Sequence, residues 1–166
     1  EKLSRIYAAS PDAIAISSLT SGFYVDVNPA FERVFGFAPG EVIGHKAVDI
    51  GAWPDPGQRE RCVAQLRRQG AIVNEELRFR HKSGRLFDSL FSASLVELNG
   101  DPCMLSVTRD ISDRKRSEQL ILEKNRMLHA ISEAQADFSA DTDPHPTFDR
   151  LLTHLLDITD SQYGFI

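Results

Sequence analysis

The chain has 166 residues, of which 42% are hydrophobic and 26% charged, enough for one sizeable core plus an extension. A net charge of -5 leaves no basic surplus to neutralise phosphates, which argues against nucleic acid as a direct partner. No apolar run of membrane length or secretory leader pattern is present, so a cytoplasmic location without membrane contact is expected.

Residues 1–10, EKLSRIYAAS, put Leu3, Ile6 and Tyr7 at helical spacing before a Ser10-Pro11 break, which predicts a short amphipathic helix. AIAIS and GFYVDVN then read as two strands about the Thr20-Ser21-Gly22 turn. Asn28-Pro29 starts a helix, because the Asn side chain can accept an orphan amide proton and the fixed φ of proline suits the first turn. Phe31, Val34 and Phe35 line one face, and Gly36 can stop the helix. Pro39 to Gly44 predicts another helical turn or two. DPGQRERCVAQLRRQG predicts a longer helix capped by Asp55, with Pro56 at its first position, an apolar stripe of Cys62, Val63 and Leu66, and Gly70 at its end. Trp53 lies between these helices.

From residue 71 the period changes. AIVNEELRFR alternates, KSG at 82–84 is turn chemistry, and Asn99-Gly100 is a strong hairpin signal between RLFDSLFSASLVEL and PCMLSVTRDI. Three antiparallel strands are expected to complete a sheet begun by the first two. One phase of these strands turns Leu77, Phe79, Phe87, Ser89, Phe91, Met104, Ser106 and Thr108 inward; the other turns Leu86, Leu90, Cys103, Leu105 and Val107 inward. Periodicity leaves both open.

After Ile111 no glycine or proline occurs until Pro144. Leu120, Lys124, Met127, Ile131, Ala134 and Phe138 fall at alternating steps of four and three, the apolar seam of a long coiled-coil-like helix with Lys124 as its polar intruder. A break at Asp141 to Pro146 precedes a second amphipathic stretch and the opening of a strand, too little to bury a core alone. Cys62 and Cys103 lack metal or redox spacing and read as small buried hydrophobes, and the five histidines form no ligand pair, so no metal site is expected.

The element order resembles a PAS domain, and four stretches carry the resemblance: SPDAIAI, the block NPAFERVFGFAPGEVIG from Asn28 to Gly44, ELRFRHKSGR, and TRDISDRKRSE. The last is similar to the family's terminal D-I-T motif with Ser112 in place of threonine. ISEAQADFSADTDPHPTFDRLLTHLLDITDSQYGFI resembles the start of a GAF domain as found downstream of PAS domains in bacterial sensor proteins. The resemblance implies an α+β chain in four parts. These are an N-terminal helix (1–10), a PAS domain (11–111) with a five-stranded antiparallel sheet and small helices on one face, a helical signalling linker (112–140), and a truncated GAF-like domain (141–166). It also implies a sensory relay segment of a histidine kinase, or of a diguanylate cyclase or phosphodiesterase, with a ligand-free dimerisation module as a further reading. No phosphoacceptor box or GGDEF signature occurs within these residues, and His129 reads as a solvated flank of the long helix, so no enzyme activity is expected of the fragment itself. A homodimer through the N-terminal and linker helices is expected, with the GAF and output domains as partners in the same chain.

The resemblance also implies a ligand pocket between sheet and helices, formed by Phe31, Phe35, Trp53, Phe79, Phe87, Ser89, Phe91, Met104, Ser106 and Thr108. Ala47, in GHKAVDI, stands where flavin-adduct members carry a cysteine, and residues 55–70 contain no histidine to ligate haem. Both cofactors are therefore disfavoured, and none is identified; an unknown small molecule or a simply packed core remain as alternatives. The signal junction is expected at Asp110, Ile111, Ser112 and Arg114, with Asp110 and Ser112 capping the coming helix and Asp110 within helical reach of Arg114.

Overall fold

The structure, a computed structural model, describes residues 2–140 and Thr153. Helix α1 (Lys2–Ala9) leads into β1 (Ala13–Ser18) and β2 (Tyr24–Val27), followed by α2 (Pro29–Phe35), α3 (Pro39–Val42) and α4 (Pro56–Gln69). Strands β3 (Ala71–Arg80), β4 (Leu86–Leu98) and β5 (Asp101–Asp110) complete the sheet, and α5 (Ser112–Ala140) follows after a single residue.

The helix ends follow the capping chemistry. The Asn28 Oδ1 accepts the Phe31 amide at 3.1 Å, and Gly36 closes α2 at φ +80°, a conformation that costs a glycine little. Asp55 Oδ1 accepts the Gly57 amide at 2.9 Å, Pro56 opens α4, and Gly70 ends it at φ +76°.

Strand order is β2-β1-β5-β4-β3, with every neighbouring pair antiparallel. The open question of phase is answered by pairing: Ser17 lies opposite Met104, Ala15 opposite Ser106, and Thr108 opposite both Ala13 and Phe91. These residues are buried on the inner face. The other phase turns outward: Leu86 is exposed, while Leu90, Leu105 and Val107 are half-buried. Cys103 is buried all the same. Strand β3 forms one edge of the sheet and carries a register break between Ile72 and Glu75, where Asn74 takes φ +53° and Val73 is 75% exposed.

One core forms between the inner sheet face and the helices. Phe31 and Phe35 of α2, Val42 of α3, and Cys62 and Leu66 of α4 join Phe79, Phe87, Phe91 and Met104 there. Phe31 and Phe35 stack at 4.5 Å, and Phe35 meets Phe79 and Phe87 edge-on. Buried Asn28 joins three elements: its Oδ1 also accepts the Ile14 amide at 2.8 Å, while Nδ2 donates to the Tyr7 and Asp12 carbonyls at 3.2 and 3.0 Å.

The chain divides after Asp113 into two units. Within the second, Leu120, Met127 and Ile131 are exposed and Ala134 is buried. The expected GAF-like start over 141–166 and the Phe138 side chain lie outside what the structure describes.

Candidate functional site

The inner face of the sheet encloses a small cavity. From the helical side it is lined by Phe31, Phe35, Ala47 and Trp53, and from the sheet by Phe79, Phe91, Met104, Ser106 and Thr108, together with Ala15, Ser17 and Tyr24. Its volume is about 20 Å3, room for about one water molecule. Aromatic packing fills the rest: Trp53 meets Phe79 at 4.7 Å and Phe91 at 5.8 Å, both edge-on. The Ser106 hydroxyl donates to the Ala15 carbonyl at 3.2 Å, so this polar lining group is engaged with backbone.

Among the pocket residues expected from sequence, Phe87 and Ser89 lie off the cavity. Both are buried and in the inward phase: Phe87 pairs with Phe79 and packs against Phe35, and Ser89 pairs with Leu77. Ser89 donates its hydroxyl proton to the Leu77 carbonyl at 2.9 Å. The phase of a strand is visible in its alternation, whereas which inward residues border a cavity depends on how the side chains of sheet and helices pack. Sequence reasoning missed Ala15, Ser17 and Tyr24. The alternation of AIAIS carried the signal for the first two, since Ala13, Ala15 and Ser17 share one face.

Tyr24 is the cavity's titratable group. Burial pushes its phenol up to about 12, against the opposing pull of the Arg59 guanidinium and a hydrogen bond with the Trp53 indole. Burial likewise raises the Cys62 thiol to about 11, so it is not a thiolate nucleophile at neutral pH.

Ala47 lines the cavity with a methyl group. The position that faces the pocket carries no thiol. His45 is exposed, and His81 bonds Ser83 through Nδ1 at 2.9 Å; neither is among the described residues that line the cavity. Among the described residues no cluster of His, Cys, Asp and Glu could hold a metal ion. Nor is any described helix long and apolar enough to cross a membrane.

The junction between β5 and α5 is held to β4 by backbone and side chain together. The Ile111 amide donates to the Asp88 carbonyl at 2.9 Å, and the Asp88 amide donates to the Ser112 hydroxyl at 3.1 Å. Asp110 Oδ1 accepts the Ser112 amide at 2.8 Å, and its other oxygen lies 3.7 Å from Arg85 Nη2. Asp110 therefore caps as expected. Ser112 does not cap α5 with the bond expected of it; its hydroxyl oxygen is turned to the β4 backbone instead. Arg114 approaches Glu118 at 3.8 Å, and buried Ile111 is the apolar plug of the junction. Next to it, Arg109 grips Asp12 with a bidentate pair at 2.9 and 2.7 Å, tying the end of β5 to the residue before β1.

A family model described as "PAS domain" matches residues 11–113. Among similar solved structures is an RNA-binding light-oxygen-voltage receptor, 24% identical with a TM-score of 0.60. That match covers 77% of this chain but 37% of the receptor, so the chain spans well under half of it. The PAS domain of a protein from Colwellia psychrerythraea is 22% identical, with a TM-score of 0.59 over 68% of this chain and 96% of that one. A domain of a sensory box sensor histidine kinase/response regulator from Geobacter sulfurreducens is 23% identical, with a TM-score of 0.55 over 66% and 91%. At these identities the likeness is one of fold. No curated protein matches. The family model spans most of the chain and coincides with the sheet, the three small helices and the clamped junction: the chain belongs to the PAS domain family.

Proposed function

We propose that this chain is the sensory and relay segment of a multidomain signalling protein, a sensor histidine kinase, in which the PAS domain biases α5 and through it a GAF domain and the output module. The clamped junction carries this reading. The last strand passes to α5 through one residue, Ile111; its amide and the Ser112 hydroxyl after it are both bonded to Asp88 of β4, so a shift of β4 changes the constraints at the first turn of the helix. Catalysis belongs to the downstream module, and the fragment itself turns over no substrate. A diguanylate cyclase output is equally compatible with the junction. The test is Asp110→Ala in the full-length protein: signal output should change while the fold of the PAS domain is retained, and unchanged output would count against the relay.

The cavity of about 20 Å3 favours a second reading, in which the PAS domain holds no organic ligand in its interior and acts as a dimerisation module. The expected homodimer pairs the N-terminal and linker helices, where Ile6, Leu120, Met127 and Ile131 are exposed. Native mass spectrometry separates the two: a small molecule retained with the purified chain supports sensing by the core, and its absence supports the packed module.

A further inference from the structure

Arg59, on α4, has an arrangement that the relay reading does not use. Among the described residues its Nε and Nη2 have no hydrogen-bond acceptor, and both atoms are shielded from solvent. These two nitrogens form the fork that arginine presents to a carboxylate or phosphate. The groups that act on its charge are burial, then Tyr24 and Cys62, none of them a carboxylate; Asp55, the cap of the same helix, is engaged with Arg61 at 2.8 Å. Leaving such a fork unbonded is costly, so a native protein retains it where an acceptor arrives.

A place for that acceptor adjoins it. Arg59, Val63 and Arg67 follow one another at helical spacing along one face of α4 and line an open groove of about 470 Å3, with Glu60, Ala64 and Arg68. The groove holds three guanidinium groups against one carboxylate, over an apolar floor of Val63 and Ala64. Arg67 reaches the Leu19 carbonyl at 3.3 Å, which places the β1–β2 turn beside the groove, while Arg68 is exposed with no ion-pair partner among the described residues. We propose that this groove binds a small organic anion through its carboxylate or phosphate group, with Arg59 swinging its fork outward to hold that group.

The swing links the groove to the core. Arg59 acts on the Tyr24 phenol, and Tyr24 lines the inner cavity together with Trp53. When the guanidinium turns to an anion, Tyr24 loses a cationic neighbour, and Trp53, which lines the same cavity, is placed to report the change. Binding itself does not depend on the relay reading. It is measured on this chain alone, whereas the relay is measured as output of the full-length protein, so either can fail without the other.

Trp53 is the chain's sole tryptophan and serves as the reporter. The 166-residue chain is titrated with succinate and with inorganic phosphate at constant ionic strength, with sodium chloride as control. A saturable change in tryptophan fluorescence is expected with at least one of the two anions, and which one responds identifies the head group. Arg59→Gln should weaken that response by about tenfold or more, and Arg68→Gln, an exposed change that leaves the core untouched, by a few-fold. Circular dichroism should show all three proteins folded. A response to neither anion, a response matched by chloride, or equal affinity in both variants would overturn the proposal.

Discussion

Asn28 shows how one side chain can organise a domain. It caps α2, bonds the first amide of β1 beyond Ala13, and holds the carbonyls of Tyr7 and Asp12, all while buried. Asn28→Ala removes the cap and leaves buried backbone groups without partners, so stability should fall by about 3 kcal/mol, measured by urea denaturation. A loss of a few tenths would show that water replaces the amide. Gly36 is constrained twice. Its φ of +80° suits glycine, and a Cβ there would collide with the His81 imidazole. Gly36→Ala should therefore destabilise by about 1–3 kcal/mol. Pairing it with His81→Ala should recover the steric part and leave the backbone part; strict additivity in that double-mutant cycle would refute the contact. The cap was legible from Asn-Pro alone. The bonds of Asn28 to Tyr7 and Asp12, and the seat of His81 over Gly36, were not, because they join segments far apart in the chain.

At the scale of elements, local chemistry was the readable part. Gly36, Gly70, Asp55 and the Asn99-Gly100 turn mark boundaries that fall within a residue or two of those expected, since a cap or a positive φ is a property of a few neighbouring residues. The phase of β4 and β5 was not readable. Both faces carry apolar residues, and only the pairing of Ala15 with Ser106 and of Ile16 with Leu105 distinguishes the face that meets the helices. The junction divides in the same way: Asp110 acts on the next turn and was legible, whereas the Ser112 hydroxyl found its partner on β4. Ser112→Ala would remove the hydroxyl acceptor of the Asp88 amide and loosen the junction without touching the Asp110 cap. Hydrogen exchange at Asp88 should then quicken while exchange in β1 stays unchanged; parallel quickening in both strands would indicate global destabilisation instead. For α5, the proposed pairing predicts that Met127→Glu with Ile131→Glu shifts a dimer to monomer in sedimentation experiments. A dimer that survives both charges would place the interface elsewhere.

For the molecule as a whole, acid sensitivity follows from exposed carboxylates. A hydrogen bond from Lys82, with the Ala38 amide, holds Glu41 below its ordinary range, and a hydrogen bond from Arg61, with the Gly57 amide, does the same for Asp55. Unfolding returns both to ordinary values, so the unfolded chain takes up protons first as pH falls. Their stabilisation is present above the ordinary carboxylate range and is lost as pH drops through the lower folded-state values. The urea midpoint should decline as pH falls below the ordinary carboxylate range, and Glu41→Gln with Asp55→Asn should flatten part of that decline. An unaltered slope would show that these carboxylates contribute little, as salt screening of exposed pairs allows. The break in β3 bears on how copies of the chain meet. An edge strand ten residues long could template a foreign strand, but Val73 and Asn74 bend its backbone out of line, and Glu75, Glu76, Arg78 and Arg80 add charge along what remains. An incoming strand finds no long straight ladder there, which disfavours runaway stacking of sheets and directs self-association toward surfaces with a defined end.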